Sequence, residues 1–161
     1  MSKGDKLKYI IIIISIVLTL TGVVIFGVLK NNDNLDKTTV VKLNGEISKT
    51  LKAEVKGLYP GKTEEYKILL EGSDAEEFFI TLKFFGDDGG KLKDHVDVGI
   101  VTDNVSVEKP LSELLDGELI SLGQGLTEIK ILYTMPIDTG DEIQGESVSF
   151  KIELNAKYVK Q

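Results

Sequence analysis

The chain has 161 residues and a formal net charge of −7, and its length is that of one ordinary folded domain. From residue 38 onward, 14 Lys stand against 23 Asp and Glu, a net charge of −9 that disfavours nucleic acid as a partner. The absence of Cys excludes disulfides, thiolate metal sites and Cys nucleophiles.

The N-terminal part of the chain is long and apolar. Residues 9–29, YIIIIISIVLTLTGVVIFGVL, carry no charge. As a helix at ~1.5 Å per residue they span about 31 Å, the thickness of a hydrocarbon core. Lys3, Lys6 and Lys8 precede this segment and favour an N-terminus inside the cell. The sequence therefore predicts a basic cytoplasmic tail (1–8), a single transmembrane signal-anchor helix (9–29), a polar linker (30–37) and an extracytoplasmic domain (38–161).

A cleaved signal peptide is the alternative for this segment. Such a peptide has an apolar core of about 7–15 residues, followed by small residues at a cleavage site. Here the apolar run is longer and ends in Val28-Leu29-Lys30, without small residues at a cut. We therefore predict an uncleaved anchor in the cell membrane, with the C-terminal domain outside.

From Thr38 the apolar residues follow a period of two, which is typical of β-strands. Short stretches bounded by Gly, Asp, Asn or Pro follow one another to the end of the chain. They are TTVVKLNGEI, TLKAEVKGL, EYKILLEG, EFFITLKFFG, HVDVGIVTD, GELISLG, TEIKILYTM and SVSFKIELNAKYV. Such spacing predicts an all-β domain, an antiparallel β-sandwich or jelly roll.

In several predicted strands, one alternating set of side chains is apolar and is expected to face the core. These sets are Leu51, Ala53 and Val55; Tyr66, Ile68 and Leu70; Phe78, Ile80, Leu82 and Phe84; Ile129, Ile131 and Tyr133; and Val148, Phe150, Ile152 and Leu154. Only the stretch KPLSELLDG breaks the pattern, because its leucines have helical spacing between Pro110 and Gly117. We predict one short helix there.

Two loops are rich in carboxylates. The first acidic loop begins at Gly86 and contains Asp87, Asp88 and Asp94, directly before His95. The closing loop (136–146) contains Asp138, Asp141, Glu142 and Glu146. Calcium takes six to eight oxygen ligands, which makes the seven carboxylates candidates for a calcium site, although neither loop has the EF-hand spacing. With His95, a residue type that binds zinc, they are the eight metal-site candidates. The competing interpretation, which we favour, is that both are solvated turns that bind no cofactor.

His95 is the only histidine. Zinc hydrolases usually need two or three His ligands or an H-E-x-x-H helix, and no Ser lies in a G-x-S-x-G turn. The sequence therefore predicts no catalytic residue. A metal-dependent peptidase that uses His95 with Asp87, Asp94 or acids of the closing loop is the alternative.

Three stretches resemble the camelysin/TasA family of Gram-positive cell-surface and biofilm-matrix proteins. They are LYPGKTEEYKILLEG, PLSELLDGELISLGQGLTEIKILYTMP and DTGDEIQGESVSFKIELNA. The matching positions are Pro60, Gly61, Met135, Pro136, Gly140, Glu142, Gln144, Gly145, Phe150, Ala156 and Gln161. The resemblance implies a jelly-roll-like sandwich, export, and a matrix or fibre role, together with the metallopeptidase activity attributed to camelysin.

These observations predict a membrane-anchored, non-catalytic surface protein with a structural or accessory role in cell-surface or biofilm-matrix assembly. Its expected partners are the membrane, through residues 9–29, and other surface or matrix proteins. The resemblance implies contact by strand exchange, in which a strand near Thr38–Leu43 completes the sheet of a neighbour. Because a short linker ties that strand to the bilayer, we expect an accessory protein rather than a main fibre subunit.

Overall fold

The computed structural model of the protein describes residues 35–72 and 77–159. Their elements are β1 (Thr38–Lys42), β2 (Ile47–Lys56), β3 (Thr63–Glu71), β4 (Phe78–Phe85), a 3₁₀ helix (Lys91–His95), β5 (Asp97–Val101), β6 (Ser106–Pro110), α1 (Leu111–Leu114), β7 (Leu119–Gln124), β8 (Glu128–Thr134), a second 3₁₀ helix (Asp141–Ile143) and β9 (Ser147–Tyr158). The predicted tail and anchor helix (1–29) and most of the linker lie outside these residues. Across the two described ranges, no helix is both long and apolar enough to cross a membrane.

The strands form two sheets, as the period of two predicted. One sheet has five strands in the order β1-β3-β8-β5-β6, and the other has four in the order β2-β9-β4-β7. From β2 to β9, the chain passes between the sheets in the order of an eight-stranded jelly roll. Strand β1 extends the five-stranded sheet at one edge. The prediction of an all-β, two-sheet domain is therefore confirmed for the described residues.

The sheets are not purely antiparallel, and on this point the prediction was wrong. Strand β1 pairs with β3 in parallel, with Thr38 opposite Lys67 and Lys42 opposite Glu71. The cause lies in two successive reversals of the chain. After β1 the chain turns and enters the four-stranded sheet as β2, and after β2 it turns again and returns as β3. Two reversals restore the original direction, so that β1 and β3 run the same way.

The core lies between the sheets and contains the alternating sets of apolar side chains that the sequence predicted to face inward. All of the predicted inward residues are buried except Tyr66, which is partly buried against the same cluster. The rings of Tyr133 on β8 and Phe150 on β9 lie 6.0 Å apart at 73°, so aromatic packing joins the two sheets directly. A second ring pair, Phe84 and Phe150, is stacked at 6.0 Å within the four-stranded sheet.

The predicted helix is present, but the strand before it was missed. Helix α1 is a single turn with Leu111 and Leu114 buried, and Gly117 follows it at φ 84°, a conformation that suits glycine after a helix. Pro110, which marks the start of the predicted helix in the sequence, is both the last residue of β6 and the N-cap of α1. Strand β6 (SVEKP) is an edge strand that pairs only with β5 and has little apolar alternation to reveal it.

The stretch Gly123–Gly125 divides between a strand and a turn. Gly123 lies inside β7 at φ 95°, beside a register shift between Ile80 and Thr81 of β4. A bulge of this kind needs a residue that adopts positive φ. Gly125 then leads into β8.

Candidate functional site

The strand registers bring four connections to one end of the sandwich, which we call the loop end. They are the β2–β3 turn (57–62), the β4–β5 connection (86–96), the β6–β7 segment with α1 (111–118), and the β8–β9 connection (135–146) that contains the closing loop. The structure therefore places all eight metal-site candidates at the same end of the molecule.

In the first acidic loop, two of the three carboxylates, those of Asp87 and Asp88, bind the chain itself. Oδ1 of Asp87 accepts a hydrogen bond from the Gly89 N–H at 2.6 Å, and both of its oxygens lie 3.2 Å from Nζ of Lys93. Oδ1 of Asp88 accepts from the Gly90 N–H at 3.0 Å, and its Oδ2 accepts from the Ser149 N–H at 3.1 Å. These N–H donors hold the pKa of Asp88 below its usual value. Both carboxylates thus shape the loop.

The 3₁₀ helix that follows carries Asp94 and His95, both exposed, while Leu92 between β4 and β5 is fully buried. Leu92 fixes the helix to the core, and the two candidate ligands face outward. Within residues 35–72 and 77–159, no three His, Asp or Glu side chains are close enough together to hold a metal ion. The geometry therefore gives the peptidase alternative no support.

The closing loop has a different internal structure. Asp138, Asp141, Glu142 and Glu146 are all exposed, and Ile143 is the buried residue that fixes the loop to the core. Nε2 of Gln144 donates to Oδ1 of Asp141 at 2.5 Å. The structure thus presents these acids to solvent.

The closing loop begins against the β2–β3 turn. The Met135 N–H donates to the Lys62 carbonyl at 3.0 Å, and the Gly61 N–H donates to the Met135 carbonyl at 2.9 Å. Nζ of Lys62 lies 2.8 Å from the Glu64 carboxylate, which lowers the pKa of Glu64 through a charged hydrogen bond. The same ammonium lies 5.4 Å from the Tyr59 ring centroid. A network of backbone and charged contacts therefore fixes the start of the loop.

A separate site, which sequence reasoning missed, lies where the free edges of β1 and β2 approach each other. The buried Leu35 donates its N–H to the Lys52 carbonyl of β2 at 2.6 Å. Two residues later, the Lys37 carbonyl accepts from the Lys67 N–H of β3 at 2.9 Å. The chain thus crosses from one sheet edge to the other just before β1. No sequence period marks this crossing, because each contact is made by backbone atoms.

A cavity of about 830 Å³ opens beside this crossing, and we call it the edge cavity. Its lining includes Leu35, Ala53, Tyr66 and Phe150, together with charged side chains from β2, β9 and the first acidic loop. The hydroxyl of Tyr66 donates to Oε2 of Glu64 at 3.3 Å, and burial raises the pKa of Tyr66. The cavity therefore combines an aromatic wall with a charged rim.

Behind the edge cavity lies Tyr133, whose ring makes an edge contact with Tyr66 at 5.3 Å. Its hydroxyl is buried and has no hydrogen-bond partner among the described residues. Burial, aided by the neighbouring Tyr66, raises the pKa of Tyr133. The phenol is therefore held neutral and belongs to the core.

Strand β1 is the edge strand of the five-stranded sheet beside the edge cavity. Five residues pair with β3, and two of them, Thr39 and Val41, point into the core. The hydroxyl of Thr39 also accepts from the Asp36 N–H at 3.0 Å. Strand β1, which directly follows the linker, is thus held in place by its backbone hydrogen bonds to β3 and by two buried side chains.

No family model matches this sequence, and no curated protein matches it. Among solved structures it is similar to PliG of Salmonella Typhimurium, a periplasmic lysozyme inhibitor of g-type lysozyme, at 9% identity and a TM-score of 0.41 over 76% of this chain and 100% of that one. A mutant of PliG from Escherichia coli is 9% identical to this chain, with a TM-score of 0.40 over 74% of this chain and 97% of that one. PliG of Aeromonas hydrophila is 15% identical, with a TM-score of 0.40 over 76% of this chain and 99% of that one. At these identities and scores we draw no argument from the similarity.

Proposed function

We infer that this chain is a membrane-anchored surface protein of the camelysin/TasA type, with a non-catalytic structural or accessory role in cell-surface or biofilm-matrix assembly. Three observations support the proposal: the uncharged run 9–29, the family-like stretches in the outer domain, and the jelly-roll strand order. The observation that carries it is β1, a five-residue strand at the edge of a sheet, directly after the linker.

An edge strand of this kind is suited to exchange between molecules. Its ladder with β3 is the same whether β1 comes from its own chain or from a neighbour, because the hydrogen bonds are made by backbone atoms. The register pairs Val40 with Leu69. In the accessory role that we propose, the tether to the membrane keeps β1 within its own chain.

The absence of Cys makes a crosslinking test of this proposal direct. Paired residues of neighbouring strands have Cα atoms about 5 Å apart, within the range of a disulfide. We expect Val40→Cys/Leu69→Cys in the full-length protein on cells to form an intramolecular disulfide, visible as a monomer with altered mobility on non-reducing gels. Val40→Cys alone is the matched control.

Two outcomes would contradict the proposal. A ladder of disulfide-linked multimers, together with N-terminal sequencing that finds a cut near Gly27, would identify a released fibre subunit. Recovery of the chain in the cytosolic fraction would remove the surface location altogether.

A further inference from the structure

The two outer faces of the sandwich carry opposite charge. On each strand, the residues that alternate with the buried ones point away from the core. On the four-stranded sheet the charged ones are Lys52, Lys56, Lys83, Lys151 and Lys157 against Glu54 and Glu153. On the five-stranded sheet they are Lys42, Lys67 and Lys130 against Glu65, Glu71, Asp97, Glu108 and Glu128. We call these surfaces the basic face and the acidic face.

The excess positive charge of the basic face is not neutralised within the described residues. Lys52 and Lys151 lie directly opposite each other on β2 and β9, and neither makes an ion pair there. The two acids of the basic face are otherwise engaged. Glu54 pairs with Lys56 at 2.8 Å, and Oε1 of Glu153 accepts from Nδ2 of Asn155 at 2.8 Å. Like charges in directly opposed positions destabilise a sheet.

The acidic face provides an internal reference. There too, two lysines are directly opposed, Lys67 on β3 and Lys130 on β8. Each has its own acid, however: Nζ of Lys67 lies 3.3 Å from Glu65, and Nζ of Lys130 lies 3.5 Å from Glu128. On the acidic face each opposed lysine therefore makes an ion pair, whereas on the basic face neither opposed lysine does. Such a difference is what a surface that meets acids from outside would show.

The acidic face has matching acids to offer. Glu71, Asp97 and Glu108 make no ion pair among the described residues. Both faces also expose apolar side chains: Phe79 and Leu119 on the basic face are 39% and 58% exposed, and Val40 on the acidic face is 42% exposed. The basic face of one copy therefore matches the acidic face of another copy in charge, and both faces offer exposed apolar side chains to the contact.

We propose that the basic face of one copy docks on the acidic face of a second copy. The contact joins two different surfaces, so an assembly of any size still has one free basic face at one end and one free acidic face at the other, and the association is open-ended. Four strands about 4.8 Å apart, with roughly eight residues each, give a face of about 500 Å², or about 1,000 Å² for the pair. This area is at the low end for specific interfaces, and it predicts a weak, salt-sensitive association.

This inference deepens the proposed function, on which its role in assembly rests, by naming a second copy as a partner. The two ideas fail separately. A chain that is anchored at the surface but stays monomeric contradicts only the inference. A chain that self-associates as described but is recovered from the cytosol contradicts only the proposed function.

The test uses charge reversal on the full chain in an uncharged detergent, followed by sedimentation velocity. For the natural sequence we expect a sedimentation coefficient that rises with protein concentration at low salt. In 1 M NaCl, where the Debye length is only about 3 Å, the rise should disappear. Any association through the apolar N-terminal segment is common to all variants and insensitive to salt.

Two double variants separate the faces. Lys52→Glu/Lys151→Glu makes both faces acidic, and Glu71→Lys/Glu108→Lys makes both faces basic, so we expect each alone to lose the concentration dependence. Mixed in equal amounts, they again offer complementary faces, and the association should return. Lys91→Glu, on the loop end, makes the same charge change as Lys151→Glu and should have no effect. Thermal unfolding by circular dichroism checks that every variant is folded.

Three results would overturn the proposal. The first is a natural chain whose sedimentation does not depend on concentration or salt. The second is a mixture of the two double variants that stays monomeric while each is folded. The third is association only after polyphosphate is added, because the basic face would then serve an anionic polymer and not a second copy.

Discussion

The two acid-rich loops at the loop end differ in what their carboxylates do. In the first acidic loop, Asp87 and Asp88 accept hydrogen bonds from backbone N–H groups and from Lys93. In the closing loop, the four acids face solvent, and a single side-chain contact joins Gln144 to Asp141. Similar composition therefore serves two purposes, because a carboxylate shapes a loop only where backbone donors converge on it.

The largest expected effect concerns the aliphatic residue that fixes each loop to the core. Leu92→Ala should lower the free energy of unfolding by about 3 kcal/mol, since it empties a fully buried position where the 3₁₀ helix packs on β9 and α1. Ile143→Ala lies in a three-residue turn and should cost less, about 2 kcal/mol, at the low end for such truncations. Urea denaturation of both variants measures the difference. Equal losses would mean that the two loops are held to the core equally strongly.

A smaller effect is expected from the carboxylates. Asp88→Asn should lower the free energy of unfolding by about 1 kcal/mol at pH 7, because charge-assisted bonds to two N–H groups weaken and solvent screens part of the loss. Asp141→Asn is the matched control and should stay within about 0.5 kcal/mol of the natural chain. A larger loss for Asp141→Asn than for Asp88→Asn would reverse the comparison.

The pH dependence of the same pair sharpens this result. The pKa of Asp88 is lowered in the folded state, so its contribution to stability is present above the ordinary value of 3.8 and is lost as the pH falls below it. The stability difference between the natural chain and Asp88→Asn should therefore shrink in acid, as followed by urea denaturation from pH 7 to pH 3. A difference that stays constant over this range would show that the charge of Asp88 is not the cause.

The smallest expected effect is that of calcium. Because the acids of the closing loop face solvent singly, millimolar Ca²⁺ should leave the melting temperature unchanged. Binding tight enough to matter would raise it by mass action. Differential scanning calorimetry with calcium and with EDTA measures the shift. A rise that Asp138→Asn/Asp141→Asn abolishes would establish a calcium site in the closing loop.

The sequence predicted the parts of the fold that follow from local alternation. The alternating apolar side chains of β4, β8 and β9 point inward as expected, because burial of one face of a strand requires an apolar residue at every second position. Strand β6 was missed because Val107 is its one apolar residue before Pro110. The parallel pairing of β1 depends on which sheet each turn enters, and no local pattern encodes that choice.

The sequence showed which residues were candidates but not what they contact. The sequence singled out Asp88, yet the donor that defines its role, the Ser149 N–H, lies 61 residues away. The sequence also did not reveal that Lys52 and Lys151 are directly opposed, because that follows from the register of β2 with β9. Long-range pairing thus decides which charged residues meet, whereas the sequence shows only which residues are charged.

Strand β9 has a consequence for biogenesis. It is paired on both sides, by β2 and by β4, and it follows all the other strands in the chain. During synthesis, one edge of β2 and one edge of β4 stay unpaired until β9 has been made. Unpaired strand edges promote aggregation of nascent chains. The four-stranded sheet therefore closes only after β9 has emerged, late and through contacts between distant segments, which makes its folding slow. A chain that completes its fold only after its last strand has been made would still be unfolded during any export that accompanies its synthesis.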